Sequence, residues 1–132
     1  MATNSSDVVA GINATKDHYN NLRKDALLAI KDVTVDADGA TITFNCATSP
    51  IHKTTLGGNR TLAVSNVATS QAFVVILLQD GTGSRTVTWW AGIKWPDAVA
   101  PVLTTTANRY DVFSFIYDGT NYYCVGQIFN LG

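Results

Sequence analysis

The chain has 132 residues, of which 46% are hydrophobic and 14% charged, and a formal net charge of −1. That length is one domain's worth and enough to bury a real core, while near-neutrality gives no electrostatic case for nucleic acid or an anionic membrane. Charge this sparse, against about a quarter of an average globular chain, leaves the surface to Thr, Ser, Asn and Gly, a mixture that favours strands and turns.

Residues 1–14 (MATNSSDVVAGINA) are polar and small, with Val8, Val9 and Ile12 as scattered apolar points. They read as an extended arm. No basic start leads into an apolar run, so no secretory signal is expected. No segment approaches the roughly 20 apolar residues of a membrane span. Residues 15–32 (TKDHYNNLRKDALLAIKD) carry the helical signal: Tyr19, Leu22, Ala26, Ala29 and Ile30, then Val33, recur at three- and four-residue steps and form one apolar stripe. Thr15 or Asn13 can cap its start, and Asp17 suits the first turn. A lone helix of this length is marginal in water. It is expected to lie on a sheet or to pack against copies of itself, with Tyr19, Leu22, Ala26 and Ile30 as attachment candidates.

From residue 33 the apolar period becomes two. Strand-like runs lie near 41–46, 51–56, 61–65, 72–79, 85–90, 102–106, 110–117 and 122–129. Between them stand turn signals such as Asp36-Ala-Asp38-Gly39, Gly57-Gly58-Asn59, Asp80-Gly-Thr-Gly83 and Asp118-Gly119. This spacing predicts a mainly β chain: an antiparallel β-sandwich, jelly-roll-like, with an N-terminal arm and one short α-helix. The expected division is 1–32 for arm and helix and 33–132 for the β-domain. Phe73–Thr82 with Arg85–Trp90, and Val112–Thr120 with Tyr122–Phe129, look like two hairpins with the same Asp-Gly-Thr turn. Gly57-Gly58 reads as a third hairpin turn.

Little in the sequence signals chemistry. All ten side-chain acids are Asp, mostly in turns or on the helix, where local hydrogen bonding explains them. His18 and His52 read as surface histidines, and no Cys/His/Asp spacing matches a closed zinc site. Asp36-Ala-Asp38-Gly39 lacks the later ligands of a calcium loop and reads as a plain turn. There is no phosphate loop and no Gly-x-Ser-x-Gly. Neither catalytic residues nor cofactors are expected. Cys46 and Cys124 sit in strand-like runs and read as reduced, buried thiols, with a disulfide as the alternative.

The three tryptophans fall within TVTWWAGIKWPD (86–97). Strand alternation puts Val87 and Trp89 on a core face and Thr86, Thr88 and Trp90 on the other. Trp95 follows a Gly kink and precedes Pro96. In one reading Trp90 and Trp95 seal the fold or a subunit contact. In the other, Trp90, Trp95, Tyr122 and Tyr123 stack a glycan. Residue type alone does not separate these, and the packing reading is preferred.

The segments IHKTTLGGNRTLAVSNV, VVILLQDGTGSRTVTWWAGIKWPD and PVLTTTANRYDVFSFIYDGTNYYCVGQ resemble a stretch that recurs in tailed-bacteriophage virion proteins, tail fibres especially. The resemblance covers roughly residues 40–128, and YNNLRKDAL resembles an element found ahead of such modules. It implies a virion structural protein, commonly a homotrimer, with other virion proteins as partners and no catalytic residues to transfer. A host surface glycan is the alternative partner. The chain is short and begins with Met, which suits a small head-decoration or capsid-fibre protein, or a short spike. The 14-residue arm could reach up to about 45–50 Å when extended, enough to lace into a neighbouring subunit.

Overall fold

The structure, a computed structural model, describes residues 32–132. The expected arm and helix, with Tyr19, Leu22, Ala26, Ile30 and His18, lie outside the described residues.

Among the described residues nine strands form two sheets: β1 (Thr34–Val35), β2 (Thr41–Asn45), β3 (Ile51–Leu56), β4 (Arg60–Ser65), β5 (Ala72–Gln79), β6 (Val87–Thr88), β7 (Ile93–Lys94), β8 (Tyr110–Tyr117) and β9 (Tyr122–Leu131). The larger sheet runs β1-β3-β5-β8-β9-β7 and the smaller β2-β4-β6. A mainly β, two-sheet architecture is thus what the alternation forms. The direction of pairing differs from the expected antiparallel jelly-roll. Five of the seven strand pairs are parallel, and only β5–β8 and β8–β9 are antiparallel.

The reason is connectivity. Odd strands β1, β3 and β5 go to one sheet and even strands β2, β4 and β6 to the other, so the chain winds through three successive rungs of a two-sided coil. The β8–β9 hairpin then closes the larger sheet. Gly57-Gly58-Asn59 and Asp80–Gly83, expected as hairpin turns, are instead corners between the sheets, because β3 and β4, like β5 and β6, pair in different sheets. Only the Asp118-Gly119 turn joins a true hairpin. The expected strand at 102–106 belongs to neither sheet, although its Leu103 is buried.

The corners stack through side chains. Arg60 of the second rung grips Asp38 of the first, Nε to Oδ1 at 2.7 Å and Nη2 to Oδ2 at 2.8 Å. Asn59 Oδ1 accepts the Thr86 N–H of the third at 3.0 Å. Gln79 braces the third corner, donating to the Arg85 and Thr104 carbonyls and accepting the Arg85 N–H. Gly83 sits at φ +74°, and a Cβ there would lie 2.5 Å from the Thr105 carbonyl oxygen, so this corner needs glycine.

Between the sheets lies one core. Ile42 and Phe44 stand in register with Leu62 and Val64 on the small sheet. Phe73, Val75, Leu77, Phe113 and Phe115 face them from the large one. Burying rather than exposing each such side chain contributes about 1.5–3 kcal/mol.

Candidate functional site

The tryptophan segment joins this core. β6 stops at Thr88, so Trp89 and Trp90 leave the pleat and need not alternate. Trp90 was expected on the Thr face. It packs inward instead, with ring centroids 5.0 Å from Phe115 and 6.1 Å from Phe73. Trp89 meets Phe113 at 4.8 Å and Trp95 at 5.0 Å, both edge-on. Such edge-to-face pairs each contribute about 0.5–1.5 kcal/mol beyond burial. The Nε1 atoms of Trp89 and Trp90 are buried without a hydrogen-bond partner among the described residues.

Tyr122 closes the cluster, T-shaped on Trp90 at 5.8 Å and stacked on Tyr117 at 4.4 Å. Burial, then the neighbouring Tyr117, pushes its phenol above the ordinary value. Tyr123 is one residue along β9 and so lies on the opposite face. It is 39% exposed, and its hydroxyl donates to Asp118 Oδ2 at 2.8 Å. The fold therefore brings Trp90, Trp95 and Tyr122 together and leaves Tyr123 on the other side of the sheet.

His52 is not at the surface as expected. It has no exposed area and points from β3 into the core. Nδ1 lies 2.8 Å from Asp36 Oδ2, and Nε2 lies 2.8 Å from the Ser49 carbonyl. Asp36 also accepts the Thr54 hydroxyl on its carbonyl and donates its N–H to Lys53. It ties the first rung to the second, which is more than a plain turn does. Asp111, 2% exposed, accepts the N–H groups of Thr104 and Asn130. The described residues contain no cluster of metal-ligating side chains. They also contain no helix long and apolar enough to cross a membrane. Cys46 and Cys124 are free thiols.

One surface went unremarked in the sequence. Register places Ile76, Val112 and Ile128 in one row on the outer face of the large sheet, and Ile51 and Val74 in the next. A hollow of about 390 Å³, lined by Ile51, Val74, Ile116 and Val125 among others, opens on this face. The available signal was the unbroken apolar run Phe73–Leu78, because a strand apolar at every position is apolar on both faces.

Residues 30–122 match the family described as "Putative phage tail fibre C-terminal domain". The chain belongs to this family. It is therefore a structural component of a phage virion, assembled in the host and belonging to the tail. No curated protein and no solved structure matches the chain. The tail fibre match takes in the three-rung coil, its three stacked corners and β8, and it stops at the first residue of β9.

Proposed function

We propose that this tail fibre domain is a non-enzymatic, self-associating building block, working as a homotrimer in the tail rather than as a head decoration. The aromatic cluster carries the reading. Trp89, Trp90 and Trp95 pack on one another and on Phe113 and Phe115, so the indoles that could have stacked a ligand serve as packing anchors. Asp36, Asp38 and Asp80 are each bonded to His52, Arg60 or Arg85, which suits a braced scaffold. The three-fold number follows the resemblance of the sequence to phage fibre modules, and closed symmetry is the usual form of such assemblies. Residues 1–32 are assigned to attachment, either to sibling chains or to other virion proteins. Gold-labelled antibody on intact particles tests the location: label on the tail is expected, and label confined to the head would refute it.

The second reading is a receptor- or carbohydrate-binding module. It is favoured by Tyr123, an exposed ring whose hydroxyl is fixed by Asp118 beside the Asn121 turn. A glycan array followed by Tyr123→Ala separates the two. A glycan whose binding vanishes in the variant would establish this role.

A further inference from the structure

The larger sheet is apolar on both faces, yet the smaller sheet covers only one. On the outer face Ile116, Tyr123, Val125, Ile128 and Leu131 are between 39% and 57% exposed. Of the outward positions fixed by strand pairing, Lys53 and Lys94 are the charged ones, and Lys53 Nζ lies 5.2 Å over the Tyr110 ring. This face also runs to an open edge. β9 pairs with β8 on one side, while on the other β7 meets it only at Tyr122 and Tyr123. Beyond Tyr123 that side has no strand beside it among the described residues. An apolar edge of this kind is a template for another chain.

We propose that the outer face of the large sheet, with the free edge of β9 from Cys124 to Leu131, is the contact surface between copies of this chain. The proposal rests on the self-association reading above and names the surface that performs it. Three observations select a second copy as the occupant. The face has almost no charge by which to recognise a charged partner, and the apolar β9 edge and face of a second copy match it in chemistry. β5 is apolar from Ala72 to Leu78, the pattern of a strand covered on both sides. The area is also sufficient. A whole large side chain offers roughly 150–250 Å², so these five at their exposures present on the order of 500 Å² per copy. About 1,000 Å² across two copies, before the β9 backbone edge is counted, meets the lower bound for a specific interface. A three-fold ring would set the β9 edge of one copy against the face of the next.

The test compares the full chain with its Val125→Asp/Ile128→Asp variant by light scattering, with circular dichroism as the check on folding. The expected result is an oligomer for the parent and a single-chain mass for a variant that keeps its β spectrum. A folded variant of undiminished mass would overturn this surface while leaving self-association standing. A parent of single-chain mass would overturn both. Should the variant not fold, amide exchange of the parent decides. The Cys124–Leu131 amides that point away from β8 should exchange roughly tenfold more slowly in the oligomer than after dilution to single chains. Equal exchange in the two states would overturn the proposal. So would protection that survives dilution, because the cover would then come from the chain's own remaining residues.

Discussion

The Asp36 carboxylate lies 2.8 Å from Nδ1 of His52, a ring with no exposed surface whose other nitrogen meets the Ser49 carbonyl. The imidazole thereby bridges the Asp36 carboxylate and the Ser49 backbone. The pair fastens two-residue β1 to the rest of the large sheet. Replacing His52 with Ala strands a largely buried carboxylate and should cost about 3–5 kcal/mol. Asp36→Asn keeps the shape and should cost about 1–3 kcal/mol. Urea unfolding of both variants checks the order.

Acid should loosen the corners. Arg85 first, then the Gly83 and Thr82 amides, hold the Asp80 carboxyl down at about 2, against an ordinary 3.8. Arg60 likewise lowers Asp38. In both, the unfolded chain takes up a proton at higher pH than the folded one. Their stabilisation is therefore whole above about pH 4 and fades as pH falls towards 2. Melting temperature should drop across that interval, and Asp80→Asn should flatten the drop.

The indoles differ in what they contribute. Trp89→Ala removes a ring touching Trp90, Trp95, Phe113 and Phe115 and should cost about 3–5 kcal/mol. Trp90→Phe deletes an N–H that has no partner, so part of the lost packing is offset. It should cost under about 2 kcal/mol. Denaturant titration of the two variants checks the contrast.

Two glycines of one corner should behave differently. Gly83→Ala drives a Cβ against the backbone of Thr105 and Ala107 at a positive φ, and should cost upwards of about 1–3 kcal/mol. Gly81→Ala faces open space and should stay within about 0.5 kcal/mol of the parent. Thermal melts of the pair are the check.

Burial, then the charge of Asp36, pushes the Cys46 thiol up to about 11. At pH 8 it should alkylate with iodoacetamide far more slowly in the folded chain than in urea, because the thiolate is the nucleophile. Peptide mass mapping reads the rate.

Much of this fold is legible in the residues. Ile42 and Phe44 alternating with threonines, and the aromatic runs of β8 and β9, locate their strands within a residue or two. Direction of pairing is not legible, because a half-buried strand alternates in the same way whether its neighbour is parallel or antiparallel. Asp80-Gly81 carries hairpin chemistry yet turns a corner, since the two are alike in backbone demand and differ only in which sheet the chain joins next. His52 looked superficial because Lys53 follows it. The alternation of β3 turns Lys53 outward, and His52 is accommodated inside by the nearby Ser49 carbonyl and by Asp36, sixteen residues away. Trp90 moved inward because its strand ended two residues earlier, a boundary that no local pattern marks.

The most direct measurement is the mass of the full chain in solution by light scattering. A stable multiple of the single-chain mass, three-fold on this account, is predicted. A lone chain at every concentration, folded and soluble with its outer sheet face bare, would contradict it.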